Sequence, residues 1–161
     1  MSFLTPLGAS IAQLSNSDKR VYANNFLSGG LNIADYNEGV CHDVVAFALY
    51  MSGAQISPTQ LAKLYGQNWL SVFNYSGGQK WDGSSPITKG KAIGFYRAID
   101  QTWFHSAIAA ENGTKIRSVN GQTLGTMWLN DIDLKRVLGT INSDGTFNYD
   151  RTKIEVYISP L

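Results

Sequence analysis

Residues 102–120 read TWFHSAIAAENGTKIRSVN and decide the β half of the fold. Two extended runs flank Asn112 and Gly113, and Asn-Gly between such runs is the strongest short-range signal for a β-hairpin. If these two residues form the centre of the turn, the numbers of paired residues sum to 225. His105 then faces Asn120 directly across the ladder. A turn longer by one residue would move Asn120 to the other face.

Extended patterns on either side of this hairpin predict further strands. Residues 91–97 form one candidate, and residues 153–159 alternate apolar and polar side chains as a half-buried strand does. Residues 131–138 predict a short helix that ends at Gly139. The second half of the chain therefore predicts a mostly antiparallel sheet.

The first half of the chain carries helix signals. A capped run over residues 17–27 is followed by two glycines, and residues 57–66 begin with the serine–proline pair typical of a helix start. Helices followed by strands indicate an α+β fold, in which N-terminal helices pack on a C-terminal, mostly antiparallel sheet. The chain has 161 residues, enough for one domain with a sizeable core, which we assign to residues 1–161.

A further predicted helix carries the only cysteine of the chain. Residues 36–47 read YNEGVCHDVVAF, so a loop ends at Gly39 and an almost wholly apolar helix, expected to reach Ser52, begins near Cys41. The unpaired N–H groups and the positive dipole end of a helix N-terminus favour the thiolate, which is the nucleophilic form of cysteine. Adjacent residues on a helix diverge by about 100°. We therefore expect His42 to be exposed or to line a cleft, and not to act as the base for Cys41.

The composition argues against several classes of protein. A single cysteine forbids an internal disulfide and a cysteine-based zinc site, and two histidines are too few for a histidine-rich metal centre. A net charge of +1 argues against nucleic acid as the main partner. No apolar run approaches the roughly 20 residues of a membrane span, and the first 14 residues do not resemble a signal peptide. We expect no metal, no cofactor and no membrane partner.

His105 is the best-suited partner for Cys41. Taken alone, His105 could be a half-buried strand histidine and Cys41 a small core residue. Together, a cysteine at a helix start, a later strand histidine and a polar residue on the paired strand form the order of a Cys–His–Asn triad. We predict Cys41 as the nucleophile, His105 as the base and Asn120 as the residue that orients the ring. Ser118 is the diagonal neighbour of His105 on the same face.

Residues 66–90 show no obvious element, which is typical of a functional loop in a compact domain. Trp69 and Trp81 in this stretch either form a contact surface of a cleft or cover the core. With Trp103 beside the predicted base, they are our candidate substrate-binding residues.

This order of residues resembles that of the papain-like cysteine hydrolases. That group includes papain-type proteases, the NlpC/P60 and CHAP cell-wall hydrolases, and papain-like domains of bacterial toxins and effectors. Residues 39–41, Gly-Val-Cys, match the Gly-x-Cys segment that opens the central helix, and His105 follows aromatic residues near the start of a strand. Residues 87–95 resemble the strand that precedes the histidine strand. The resemblance covers residues 36–53 and 87–121.

The resemblance implies acyl transfer through an acyl-enzyme, without a metal or cofactor. In this mechanism the Cys41 thiolate attacks an amide carbonyl, and protonated His105 donates to the leaving amine. The oxyanion is held by the Cys41 backbone N–H and by the Asn37 side chain. Papain-type enzymes carry a glutamine a few residues before the cysteine for this purpose. This chain has none there, and Asn37 stands closer to the cysteine than that glutamine does.

The function implied by the resemblance is that of a papain-like cysteine protease acting as a bacterial toxin or effector domain. Such a domain is delivered without a signal peptide and cleaves a protein of the target cell in its cytoplasm. Its implied partners are a protein or peptide substrate and a dedicated immunity protein that inhibits it in the producer. The same machinery also serves a glutamine deamidase or a peptidoglycan amidase. A non-enzymatic binding module with Cys41 in its core is the remaining alternative.

Overall fold

The computed structural model describes residues 3–54 and 78–160. The helix predicted over residues 57–66 and the side chain of Trp69 lie outside the described residues. Within the two described ranges, none of the helices combines the length and the apolar character that crossing a membrane requires.

Helices occupy the first part of the chain and one short segment near its end. α2 begins after Ser15, whose hydroxyl accepts the Asp18 N–H, and it ends at Gly29 in the left-handed conformation with φ of 81°. These limits agree with the predicted helix to within two residues. The described helices are α1 Pro6–Ile11, α2 Asn16–Ser28, α3 Cys41–Met51 and α4 Leu134–Leu138, with 3₁₀ turns at Ile33–Asp35 and Gln122–Leu124.

In the described residues, seven strands form a single sheet in the order β1-β7-β2-β3-β4-β5, with β6 paired to β7. All the described strand pairs are antiparallel. The strands are β1 Gln79–Lys80, β2 Ala92–Arg97, β3 Thr102–Ala109, β4 Lys115–Arg117, β5 Ile132–Asp133, β6 Phe147–Tyr149 and β7 Thr152–Ile158. The predicted α+β architecture is therefore confirmed: N-terminal helices, one of them beginning at Cys41, pack on a C-terminal antiparallel sheet.

The hairpin around residues 112–113 has the predicted register over a shorter length. Ile108 pairs with Arg117, so the residue numbers sum to 225 as expected. The ladder ends at Arg117, although the sequence predicted extended structure as far as Asn120. Asn120 is in the left-handed conformation with φ of 58°. The chain therefore leaves the sheet before it can place Asn120 opposite His105.

A second hairpin joins β6 to β7. β7 corresponds to the strand predicted over residues 153–159, whereas β6 and the turn of this hairpin were not predicted. Asp150 and Arg151 form its turn, and both have positive φ, of 49° and 64°. Positive φ at both central residues is the geometry of a type I′ turn, for which Asn and Gly are the usual residues. Because Asp and Arg stand at these two positions in place of Asn and Gly, the sequence lacks the signal that identified the first hairpin.

The two faces of the sheet bury two separate clusters of apolar side chains. Ile108 on β3 packs with the helices, in a cluster that includes Phe26 of α2 and Phe47 of α3. Ala107, its neighbour in the chain, belongs to the opposite cluster, with Phe95 of β2. The alternation follows from the two-residue period of a strand. α3 thereby lies directly against β3, and this contact brings Cys41 to the strand that carries His105.

Arg117 and Trp128 join the end of α2 to the sheet. The buried Arg117 guanidinium donates to the carbonyl oxygens of Leu27 and Ser28, at 2.7 and 3.1 Å, and to that of Trp128 at 2.9 Å. The Trp128 indole donates to the Phe26 carbonyl at 2.8 Å. The carbonyls of Phe26, Leu27 and Ser28 belong to the last turn of α2, where the end of a helix leaves carbonyl groups without intrahelical partners. Two side chains from the β half therefore cap a helix of the α half.

Candidate active site

Cys41 is the first residue of α3, and its side chain is only 6% exposed. Burial raises the pKa of the thiol, and the nearby Asp43 carboxylate raises it further. Backbone N–H groups of Ser106, of His42 and of Cys41 itself act in the opposite direction, because they donate toward the sulfur. Cys41 is therefore a buried thiol with backbone donors that would stabilise it as a thiolate.

Asp43 closes the turn that leads into the helix. One carboxylate oxygen, Oδ2, accepts the Val40 N–H at 2.9 Å, while the buried Oδ1 has no hydrogen-bond partner among the described residues. A Cβ at position 39 would lie 2.4 Å from the Asp43 Cβ, so only a glycine leaves room for this carboxylate. Burial raises the pKa of Asp43. The glycine of the Gly-Val-Cys segment thus has a steric reason to be there.

His105 lies on β3 with its ring held by a loop that follows β4. Its Nε2 is 2.8 Å from Ser118 Oγ and 3.2 Å from the Leu124 carbonyl oxygen. A Cβ on Gly121 would lie 2.2 Å from the ring carbon Cε1, so the ring rests directly on the backbone of that glycine. The side chain is 2% exposed, and burial lowers the pKa of His105 to about 4. The ring is neutral at neutral pH.

The Leu124 contact defines the tautomer of the neutral His105 ring. A carbonyl oxygen can only accept, so Nε2 carries the proton and donates it. Ser118 Oγ donates its own hydrogen to the Ser106 carbonyl at 2.7 Å, which leaves its lone pairs to accept from Nε2 as well. Nδ1 therefore bears the lone pair. It is the nitrogen of His105 that can take up a proton.

His42 is buried, at 5% exposed, and not on the surface as one sequence expectation had it. Its Nδ1 lies 2.5 Å from Ser106 Oγ, and its ring donates to the Trp103 carbonyl. Burial lowers the pKa of His42 to about 4. Its position at the start of α3 directs the ring onto β3 instead of into solvent. The adjacent residue on the helix, Cys41, reaches the same strand at the Ser106 N–H.

Cys41 and His105 meet at the peptide bond between His105 and Ser106. The N–H of that peptide is the Ser106 donor to the Cys41 sulfur. No hydrogen bond joins the thiol directly to the His105 ring, in the part of the chain that the structure describes. The fold thus brings the predicted nucleophile to the backbone of the predicted base. The His105 ring itself packs on Phe95, with ring centres 5.3 Å apart, on the sheet face opposite the helices, so proton exchange with the thiol needs the ring to reach the helix side of β3.

The predicted orienting residue, Asn120, makes no hydrogen bond with the His105 ring. It lies just beyond the end of the ladder, and its backbone N–H donates to the Thr126 carbonyl at 3.1 Å. Ser118 and the Leu124 carbonyl make the contacts that the sequence assigned to Asn120. Ser118 was identifiable as the diagonal neighbour of His105, whereas a backbone carbonyl leaves no signal in a sequence. The role of Asn120 stays a prediction without a contact to support it.

Two clefts flank Asn120, which lines both. The first has a volume of about 280 Å³ and includes Asn37 and Gly39 from the loop before Cys41. The second has a volume of about 250 Å³ and includes His105 and Gly121. Asn37 is buried, and its Oδ1 accepts the Gly39 N–H at 2.8 Å. This contact occupies the amide oxygen and leaves the amide NH₂ as the group that could serve an oxyanion, so that role stays a prediction.

Two of the three predicted substrate-binding tryptophans are described. Trp81 is 2% exposed, stacks on Phe147 with ring centres 5.7 Å apart, and donates its indole N–H to the Ser85 carbonyl. It covers the core, which was the alternative reading of the sequence. Trp103 is half-buried and packs against Tyr96 and Tyr157. Of the two, only Trp103 remains a candidate contact for substrate.

Neither a metal centre nor a known family can be assigned from these observations. In the described ranges, no three side chains of the His, Cys, Asp and Glu types come together in a way that could hold a metal ion. No protein-family model matches the chain, and no curated protein matches it. The case for a function rests on the geometry around Cys41 and on the resemblance of its motifs.

Proposed function

We propose that this protein is a cysteine hydrolase that cleaves amide bonds, with Cys41 as the nucleophile and His105 as the general base. One observation carries the proposal: the Cys41 sulfur, at a helix N-terminus, lies against the peptide N–H that joins Ser106 to His105. His105 in turn has its Nε2 proton engaged by Leu124, so that Nδ1 is available as a base. A core cysteine needs neither feature.

The proposed reaction begins from a neutral pair and not from an ion pair. The pKa of Cys41 is raised and that of His105 is about 4, so at pH 7 the thiol keeps its proton and the ring is uncharged. Transfer of the thiol proton requires the His105 ring to move to the helix side of β3, because it packs on Phe95 on the opposite face. As the sulfur attacks the carbonyl carbon, its proton then passes to His105 Nδ1, and a C–S bond forms while the C–O π bond breaks. The imidazolium then protonates the leaving nitrogen as the C–N bond breaks and the C–O π bond re-forms. Water next gives a proton to His105 and attacks the thioester carbonyl, and the C–S bond breaks as the sulfur regains its proton.

Among amide hydrolases, we propose a papain-like protease that acts on proteins. The Gly-Val-Cys segment, the later strand histidine and the mixture of helices and antiparallel strands support this choice. By the same resemblance, we propose a toxin or effector domain whose substrate is a protein of a target cell and whose producer carries an inhibitor protein. A glutamine deamidase and a peptidoglycan amidase are the alternatives to be separated by their products.

The test is the rate of Cys41 alkylation by iodoacetamide from pH 3 to pH 10, in the wild type and in His105→Ala. With neutral His105 as base, the rate should rise near pH 4, where the ring loses its proton, and hold a plateau across neutral pH. His105→Ala should lose the plateau and react only above the ordinary thiol pKa of about 8.5. Equal profiles in the two proteins would make Cys41 a structural residue.

The products then separate the three activities. A protease generates new N-termini when the wild-type protein, but not Cys41→Ala, is incubated with a cell extract. A deamidase releases ammonia from intact proteins without new termini, and an amidase releases muropeptides from purified sacculi. Cys41→Ala is a suitable control because the change removes one sulfur from a small buried side chain. If Cys41 is activated but none of the three products forms, the protease assignment is refuted. The result would then support only the conclusion that the Cys41 thiol is activated.

A further inference from the structure

His42 is a buried histidine that the proposed reaction does not use. Its ring is enclosed between the start of α3 and β3, where it contacts the Ser106 hydroxyl and the Trp103 carbonyl. Placing an imidazole in such an environment costs desolvation, which is why its pKa falls to about 4. A simple packing role would be served equally well by an apolar ring of the same size.

Ser106 connects His42 to both members of the proposed dyad. Its hydroxyl contacts His42 Nδ1 at 2.5 Å, its backbone N–H donates to the Cys41 sulfur, and its carbonyl accepts from Ser118 Oγ at 2.7 Å. Ser118 Oγ is also 2.8 Å from His105 Nε2. The hydroxyl, the N–H and the carbonyl of Ser106 therefore contact His42, Cys41 and Ser118, respectively. Ser118 in turn contacts His105.

We propose that His42 is a positioning residue for the Cys41 nucleophile: its buried ring fixes Ser106, and Ser106 presents its N–H to the sulfur. The inference rests on the proposed function, since it assigns Cys41 as the nucleophile. The contact of His42 that leads to the Cys41 sulfur is the one with the Ser106 hydroxyl. Loss of its ring contact should let the Ser106 peptide move, and the emerging thiolate should lose one of its donors.

The titratable groups around His42 define what a substitution changes. Cys41 and Asp43 lie on its own helix, and His105, whose pKa is lowered further by the proximity of His42, lies on β3. At pH 7 the His42 ring is neutral, so replacing it by Phe or Asn changes no charge at that pH. A change in Cys41 reactivity at pH 7 would then report the lost contact and not a lost charge.

The experiment compares iodoacetamide alkylation of Cys41 in His42→Phe, His42→Asn and Ser106→Ala with the wild type. We expect His42→Phe and Ser106→Ala each to lower the pH 7 rate by about tenfold, equivalent to a shift of about one pKa unit in the reacting thiol. The double variant should lose little more, because both changes break the same contact. His42→Asn keeps a hydrogen-bonding group near the Nδ1 position and should recover most of the rate.

A matched control lies at the other end of the same helix. Ser52→Ala removes a hydroxyl that bonds only to the Ala48 carbonyl, at 2.7 Å, so it tests for general loosening of α3. The control should react as the wild type does. If His42→Phe fails to fold by circular dichroism, Ser106→Ala and its double variant with His42→Asn decide the question.

The outcomes separate this inference from the proposed function. A wild type with the neutral-pH plateau, sensitive to His105→Ala but unchanged in His42→Phe and Ser106→Ala, would overturn the positioning role and leave the dyad in place. An equal loss of alkylation rate in Ser52→Ala would also overturn the positioning role, since any change in α3 would then lower the reactivity of Cys41. A wild type without the plateau would refute the dyad itself.

Discussion

The Leu124 carbonyl decides which nitrogen of His105 can act as a base. Because it accepts from Nε2, the lone pair must lie on Nδ1, and the ring needs no carboxylate or amide partner to fix its tautomer. The backbone of Gly121 packs against the His105 ring and restricts its orientation, since a side chain at position 121 would overlap the ring. Orientation of the His105 ring is therefore a property of one loop and not of one orienting residue.

Ser118 and Asn120 provide a direct comparison of two candidate orienting residues. Ser118→Ala removes the hydroxyl 2.8 Å from His105 Nε2 and should lower the neutral-pH alkylation rate of Cys41 by about threefold to tenfold, since Leu124 still holds Nε2. Asn120→Ala removes a side chain without a bond to the ring and should change the rate by less than twofold. The reverse ranking would restore Asn120 as the third member of the triad.

The loop over residues 118–126 is the element on which the site depends. It leaves the sheet where the ladder ends, closes with bonds from the Asn120 and Gly121 N–H groups, and brings Leu124 back over His105. Gly125, with φ of 118°, packs against Ser118 so closely that a Cβ would lie 2.8 Å away. Gly121 and Gly125 therefore allow the backbone of this loop to pack closely around His105.

The C-terminal end of α2 depends on Arg117 in the same way. Arg117→Met keeps most of the apolar stem but leaves the carbonyls of Leu27, Ser28 and Trp128 without their donor. We expect the free energy of unfolding to fall by about 3 kcal/mol, as measured by urea denaturation, because buried acceptors that lose a charged donor stay desolvated.

Arg97→Met is the matched control for Arg117→Met. Arg97 pairs with Asp100 at 2.7 Å, and both side chains are substantially exposed, so its loss should cost no more than about 1 kcal/mol. Equal effects of the two substitutions would show that the buried guanidinium does not link α2 to the sheet. An effect of Arg117→Met below that of the control would contradict the capping role altogether.

The whole molecule should lose stability in acid because it buries two neutral histidines. His42 and His105 each have a pKa of about 4 in the folded protein, below the ordinary 6.5. The unfolded chain therefore binds more protons between those values, so stability is complete above pH 6.5 and is lost as the pH falls through 4. The full loss is on the order of 3 kcal/mol for each histidine, reduced by Asp43, whose raised pKa acts in the opposite direction.

Urea denaturation at several values between pH 7 and pH 4 measures this dependence. The wild type should lose several kcal/mol over that range, and His42→Asn should lose about half as much, since one of the two histidines is gone. His42→Asn is suitable because it retains a polar group toward Ser106. A pH dependence identical in both proteins would mean that His42 is not the buried, neutral group that the fold indicates.

The sequence determined much of the architecture by local patterns. The α+β order, the helix that begins at Cys41 and the register of the hairpin around residues 112–113 all follow from periodicity, caps and one turn signal. These features are local, so a single sequence contains the information for them. The β6–β7 hairpin was missed because Asp150 and Arg151 adopt a turn that their residue types rarely form.

Only the tertiary structure decided how the site is assembled. The register correctly placed Ser118 beside His105, but the ladder ended at Arg117, because the chain turns away into a glycine-containing loop. The burial of His42 depends on the packing of α3 against β3, which no helical pattern specifies. One of the two partners of His105 Nε2 is a backbone carbonyl, a group that every residue carries, so it becomes specific only when the chain folds around it.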